Sequence, residues 1–145
     1  MKSIAEGIGE LTLVSREVNT EDLDPGVNSW VIDSGSGRHL VAREVLDENA
    51  EKHIIKVDEP LRLRTAGGIV TTNCKVKMWV EALGMWLMAW VLPKTPLVLG
   101  LHDLVENHGF DFTFRNVKGK AMAFLSKGSK KKELPVKSGV PVLRA

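Results

Sequence analysis

Short β-prone segments separated by glycine or proline set the strongest limit on the fold of this chain. Six of them are recognisable, at residues 30–32, 54–57, 61–64, 69–80, 86–92 and 110–114. Leu61 and Leu63 alternate with Arg62 and Arg64, as expected for a strand with one buried face. This succession of strands and turns predicts an all-β domain with a closed-barrel or sandwich architecture.

One helix is well supported by the sequence. Residues 101–107 are preceded by Gly100 and followed by Gly109, which can end a helix in the left-handed conformation. Residues 43–52 fit either one short helix or a polar loop. The prediction is therefore an all-β fold with one short C-terminal helix.

The chain has 145 residues, of which 43% are hydrophobic and 26% charged, and these values fit one globular domain. We predict this domain at residues 27–125, after an N-terminal extension at residues 1–26. The single cysteine, Cys74, excludes an internal disulfide framework and indicates a reducing compartment. No apolar secretory segment is recognisable near Met1, so we expect an intracellular protein.

The longest apolar stretch, at residues 78–92, does not predict a membrane span. It covers 15 residues and contains Glu81, whereas a spanning helix needs about 20 apolar residues. The stretch is better interpreted as two buried strands broken near Leu83-Gly84. We therefore expect no membrane contact.

Positive charge is concentrated toward the C-terminus. Residues 115–145 contain nine Lys and Arg side chains and one acid, whereas residues 1–114 contain 11 basic and 17 acidic side chains. Residues 126–145, which include three consecutive lysines, are therefore predicted to be a basic flexible tail. A weak contact of this tail with nucleic acid is a further possibility.

The candidate for catalysis is Asp33-Ser34-Gly35, which directly follows the apolar residues 30–32. A carboxylate at the end of a strand is firmly placed, and Gly35 lets another backbone pass close by. The same tripeptide is also an ordinary turn, and local chemistry alone leaves both interpretations open. No His or Cys residues have the spacing of a zinc site, so we expect no metal and no cofactor.

The order of these features resembles the retropepsins, the aspartic proteases of retroviruses and retrotransposons. The loop that carries Asp33-Ser34-Gly35, here called the acid loop, is followed by a glycine-centred turn at residues 65–70, an apolar strand at residues 96–100 and a short helix. Residues 30–36 with His39-Leu40 are similar to the opening of copia-type retrotransposon proteases, and residues 109–114 to their closing segment.

Two positions depart from that pattern. Gly37 stands where a small hydroxyl residue is expected, and Leu99-Gly100 is closer to the retroviral than to the copia sequence. The resemblance covers residues 27–125 and is loose through the middle.

The resemblance implies an aspartic endopeptidase that cleaves its own polyprotein in the cytoplasm or within virus-like particles. The chain contains one Asp-Ser-Gly, so a catalytic pair requires Asp33 from each chain of a homodimer. Ser34 would bond across the two-fold axis, and Ser36 would donate to the Asp33 carboxylate. His39 would make a structural hydrogen bond.

The resemblance also implies a flap and a strand that crosses beneath the acid loop. The flap would be formed by Ala66, Gly67, Gly68 and Ile69, although a plain hairpin turn fits these residues equally well. Leu99 and Gly100 would lie in the crossing strand, where Gly100 and Gly35 permit close backbone contact. The strands that pair across the dimer would come from residues 10–14 or 110–114.

Two other functions compete with the protease interpretation. One is a non-catalytic module that keeps the retropepsin fold for dimerisation or protein binding. The other is nucleic-acid binding through the basic tail, which is weakened because no aromatic residue lies among residues 127–132.

Overall fold

The computed structural model describes residues 29–65 and 67–144. Most of these residues lie in strands, which confirms the all-β class. The strands are β1 Ser29–Asp33, β2 Leu40–Ala42, β3 Ile55–Thr65, β4 Gly68–Val80, β5 Met85–Leu92, β6 Val98–Gly100, β7 Asp111–Val117, β8 Lys120–Lys127, β9 Lys130–Leu134, β10 Val136–Lys137 and β11 Val140–Arg144. The predicted extension at residues 1–26 lies outside the described residues.

The strands form two sheets, and the larger one is open. Its eight strands follow the order β10-β11-β1-β6-β2-β5-β4-β3, and the second sheet follows the order β7-β8-β9. The prediction of a closed barrel is wrong, because β10 and β3 stand at opposite ends of this order and no described pairing joins them. Exposed Asp58, Glu59 and Pro60 on β3 suit an unpaired edge.

Residues 54–57 and 61–64 were predicted as separate strands, but residues 55–57 and 61–64 belong to the single strand β3. The register of β3 against β4 shifts between Lys56 and Leu61. Pro60 lies in this interval and has no N–H to donate to a neighbouring strand. The proline therefore interrupts the ladder without ending the strand.

Two helical segments flank the sheet. Helix α1 covers Glu48–Glu51 after a 3-10 turn at Arg43–Val45, so residues 43–52 form short helical pieces. Helix α2 covers Leu101–His108 and ends at Gly109, whose φ of 76° is left-handed, as predicted. No helix among the described residues is long and apolar enough to cross a membrane.

The hydrophobic core anchors the strand that carries Asp33. All five residues of β1 are buried, and Trp30 and Ile32 belong to a large cluster that also contains Leu104 and Leu143. A smaller cluster is formed by Leu40, Leu61, Leu63, Leu92 and Val98. The position of Asp33 is thus fixed by the packing of Trp30 and Ile32 in the large cluster.

The prediction of a flexible tail at residues 126–145 is wrong for the described part of that segment. Strand β9 pairs with β8, and β11 pairs antiparallel with β1, placing Leu143 opposite Trp30 and Val142 opposite Val31. The side chains of Val142 and Leu143 are buried. The sequence did not indicate that β9 is a strand, because its lysines are all exposed and Leu134 is its one buried residue.

Candidate functional site

Asp33 is the last residue of β1, and a tight turn follows it. The Ser36 N–H donates to the Asp33 carbonyl oxygen at 3.2 Å, and the Gly35 N–H donates to Asp33 Oδ1 at 2.9 Å. Both donors are backbone N–H groups that lie within three residues of Asp33. The loop thus holds one carboxylate oxygen in place with its own main chain, a common arrangement for aspartate in turns.

The second oxygen of the Asp33 carboxylate is the most unusual atom of this loop. The residue is 5% exposed, and Oδ2 is buried without a hydrogen-bond partner among the described residues. Burial raises the pKa of Asp33 to about 6, against a smaller opposing effect of the Gly35 hydrogen bond. A buried polar atom without a partner is energetically costly, and Ser29 Oγ at the start of β1 is in the same state.

The two serines of the loop have different surroundings. Ser34 is exposed, so it is free to contact another molecule. Ser36 is 1% exposed, and its hydroxyl donates to the Arg38 carbonyl oxygen at 2.9 Å while accepting from the Arg38 N–H at 3.0 Å. The prediction that Ser36 donates to Asp33 is wrong. Its hydroxyl satisfies the loop backbone instead.

Strand β6 runs parallel to β1 and brings Gly100 beside the acid loop. Leu99 pairs with Ile32 and is fully buried in the large core cluster, and Gly100 pairs with Asp33. A Cβ atom on Gly100 would lie 2.6 Å from the Arg38 backbone nitrogen and 2.8 Å from the Ser36 carbonyl oxygen. The structure therefore contains the predicted close backbone approach at Gly100.

Replacing Gly100 by Ala is expected to destabilise the fold, because the new methyl group would overlap backbone atoms that cannot rotate away. We expect a loss of about 3 kcal/mol in the free energy of unfolding, measured by urea titration. Gly37→Ala is the matched control, since its Cβ would lie 3.9 Å from the His102 side chain. If Gly100→Ala lowers the free energy of unfolding no more than Gly37→Ala does, this packing is contradicted.

A buried histidine links the acid loop to helix α2, and its partners could not be identified from the sequence. The Gly100 N–H donates to His39 Nδ1 at 3.0 Å, and His39 Nε2 lies 2.7 Å from Asp103 Oδ2. Nδ1 must accept, so Nε2 carries the proton and donates to Asp103. His39 thus has the structural role expected for it, and the bond to Asp103 fixes its tautomer.

The pKa shifts agree with this arrangement. Burial lowers the pKa of His39 and outweighs the opposing effect of Asp103. Burial alone would raise the pKa of Asp103, but hydrogen bonds from Asn107 and His39 bring it below its usual value. The pair therefore exists as neutral imidazole and carboxylate at neutral pH.

The predicted flap coincides with the end of the β3–β4 hairpin. Thr65 pairs with Gly68 and Arg64 with Ile69, and Gly68 has a φ of 121°, which favours glycine. Ile69 is 55% exposed, and Gly67 is also exposed. Ala66 lies outside the described residues. The hairpin is as predicted, and its closure over a substrate stays a prediction.

The described surface also contains a cavity of about 440 Å³ away from these residues. Its lining consists of Arg43, Pro60, Thr71, Thr72, Asn73, Cys74, Val91, Leu92 and Pro93. None of the predicted site residues is among them, so this cavity is separate from the Asp33 loop. Cys74 of β4 is half-buried and belongs to this lining.

No protein-family model matches this chain, and comparisons with curated proteins and with solved structures find no match either.

Proposed function

We propose that this chain is a homodimeric aspartic endopeptidase in which Asp33 of two chains forms the catalytic pair. The observation that carries the proposal is the unpartnered Asp33 Oδ2 in a buried carboxyl group whose pKa is raised to about 6. Because Oδ2 is covered within the single chain, the acid loop must shift on dimerisation for a second carboxyl group to share a proton with this atom and satisfy it. The neighbouring exposed Ser34 is available to tie the two loops together.

Among the described residues, a single chain does not offer such a partner. Asp103 lies near the acid loop, but its carboxylate is already bonded to His39, His108 and Asn107. A carboxylate held below its usual pKa by these partners is unsuited to share a proton with Asp33. A second copy of the chain supplies a chemically identical acid through a two-fold axis.

Hydrolysis by such a pair requires one proton and one water molecule. The ionised Asp33 takes a proton from the water molecule as the water oxygen attacks the peptide carbonyl carbon. At the same time the protonated Asp33 of the other chain donates its proton to the carbonyl oxygen. The C–N bond of the tetrahedral intermediate then breaks as the protonated carboxyl donates its proton to the leaving nitrogen and the other carboxylate takes a proton from a hydroxyl group of the intermediate. The pair ends with one proton, as it began.

The arrangement of elements supports the same proposal. The structure contains, in order, a strand ending in Asp33, a long β3–β4 hairpin, a strand carrying Gly100 and helix α2. This is the order implied by the resemblance to retropepsins. The flap residues at the hairpin end would cover an extended polypeptide and exclude water during the reaction. We propose that the substrate is a polyprotein containing this chain.

The pH dependence of peptide cleavage tests this proposal. One proton shared between two carboxyl groups gives a bell-shaped profile, since activity is lost when both are protonated and when both are ionised. Burial raises the pKa of Asp33 to about 6, which is still below 7, so the optimum is expected on the acid side of neutrality. The measurement is the initial rate of cleavage of an unfolded protein, with new termini identified by mass spectrometry. A rate that rises steadily into alkaline pH would contradict the carboxyl pair.

A further inference from the structure

The solvent-facing side of the three-stranded sheet, here called the basic face, consists of Asp111, Thr113, Arg115, Val117, Lys120, Met122, Phe124, Ser126, Lys131 and Glu133. Strand β8 defines its orientation, because Ala123 and Leu125 are buried in the core while Met122 and Phe124 lie half-buried on the opposite side. The basic face contributes to no part of the Asp33 loop.

Strand pairing places cations around the Phe124 ring. Phe124 lies directly opposite Thr113 on β7 and Glu133 on β9, so Arg115 and Lys131 are its diagonal neighbours. The Arg115 guanidinium carbon is 5.4 Å and Lys131 Nζ is 4.6 Å from the ring centroid. The sequence showed lysines without an interleaved aromatic residue, and the pairing of β8 with β7 and β9 supplies one.

The surrounding sheet is strongly basic. Residues 111–134 carry seven exposed basic side chains: Arg115, Lys120 and Lys131 lie on the basic face, and Lys118, Lys127, Lys130 and Lys132 lie at the turns or on the other side of the sheet. The acids in the same segment, Asp111 and Glu133, both lie on the basic face. By contrast, residues 29–110 carry nine basic and ten acidic side chains. The charge therefore favours a polyanion at this sheet over residues 29–110.

We propose that the basic face binds single-stranded nucleic acid, with RNA as the probe. Arg115, Lys120 and Lys131 would contact phosphates, and one base would stack on Phe124. An aromatic ring on a sheet surface suits unpaired bases, whose faces are accessible, whereas a duplex hides them. Arg115 and Lys131 lie on opposite sides of Phe124, so the nucleic-acid backbone is expected to cross β8 diagonally between them, beside Glu133, which repels phosphate.

The test is the binding of the full chain to a fluorescent 15-nucleotide oligouridylate, followed by anisotropy over a range of salt concentrations. The double variant Arg115→Ala/Lys131→Ala should bind more than about tenfold more weakly and lower the slope of log affinity against log salt by about 1.4. Phe124→Leu should weaken binding about tenfold with little change in that slope. Phe124→Trp preserves the stacking surface and should bind at least as tightly as the unaltered chain.

The control is Lys52→Ala/Lys94→Ala, which removes the same charge from exposed positions outside the three-stranded sheet and should leave affinity within about twofold of the unaltered chain. An equal loss in this control and in the Arg115/Lys131 variant would overturn the proposal. So would duplex RNA that binds as tightly as the single strand, or polyglutamate that competes as well as oligouridylate, since the latter would indicate an acidic protein partner. Absence of measurable binding at low salt would also overturn it.

Discussion

Replacing Asp33 by Asn is expected to abolish peptide hydrolysis while making the folded chain more stable at neutral pH. The amide cannot share or transfer the catalytic proton, so we expect at least a thousandfold loss of rate, in the upper range of general acid–base effects of about 10²–10⁴. Folding should survive because the side chain keeps its shape. The measurement is the cleavage rate beside the thermal unfolding of both proteins.

The expected gain in stability follows from the raised pKa of Asp33, which is about 6 in the folded chain and 3.8 for the free side chain. The folded state binds more protons than the unfolded state between these values, so the ionised carboxyl destabilises the fold increasingly as pH rises through 6. The full effect is on the order of 3 kcal/mol. Asp33→Asn removes this penalty at pH 7 and should have little effect below pH 3.8.

Asp103→Asn is the matched control for this stability measurement. The pKa of Asp103 is lowered in the fold, so its carboxylate stabilises the folded state above its unfolded pKa, and this contribution is lost as pH falls. The Asn variant should therefore be less stable at pH 7, opposite to Asp33→Asn. If both substitutions destabilise the chain at pH 7, the buried and unpartnered state of Asp33 is contradicted.

Ending the chain at residue 134 is expected to prevent folding, although the sequence alone predicted a flexible tail in this region. The deletion removes β10 and β11, and with them the partners of Trp30 and Val31 on the strand that carries Asp33. Burial of Val142 and Leu143 alone contributes about 1.5–3 kcal/mol each, a large share of a typical stability of about 5–15 kcal/mol. The measurement is cooperative thermal unfolding followed by circular dichroism.

A milder pair of substitutions makes the same test without deleting backbone. Leu143→Ala should cost about 2–5 kcal/mol, because Leu143 is fully buried. Lys132→Ala changes an exposed side chain in the same C-terminal region and should shift stability by less than about 0.5 kcal/mol. A truncated chain that unfolds cooperatively at the temperature of the full chain would contradict the pairing of β11 with β1.

The strands and the short helix could be predicted because their signals are local. Alternation of Leu61 and Leu63 with arginines and the glycine at the end of α2 are visible within a few residues. The pairing of β11 with β1 joins segments at the two ends of the described chain, and no local pattern reports such contacts. The lysines of β9 have the composition of a solvated linker, and only their pairing with β8 distinguishes them from one.

Within the acid loop too, some contacts of single side chains could be predicted from the sequence and others could not. The strand end at Asp33 and the close approach at Gly100 follow from residue types that have few alternatives. Ser36 could donate to several nearby acceptors, and the loop conformation selects the Arg38 carbonyl over Asp33. The role of His39 depends on Gly100 and Asp103, which lie more than 60 positions away, so the sequence indicated the residue without its partners.

Mixing the unaltered chain with the Asp33→Asn chain tests most directly whether one active site uses Asp33 from two chains. The two proteins are combined in equal amounts at a concentration where dimers prevail, allowed to exchange subunits, and assayed for peptide cleavage. If each site needs both acids, random pairing leaves about a quarter of all dimers active. Activity per total chain should then fall to about a quarter of that of the unaltered protein at the same total concentration. A value of about one half would show that each chain acts alone, and the paired-Asp33 site would be contradicted.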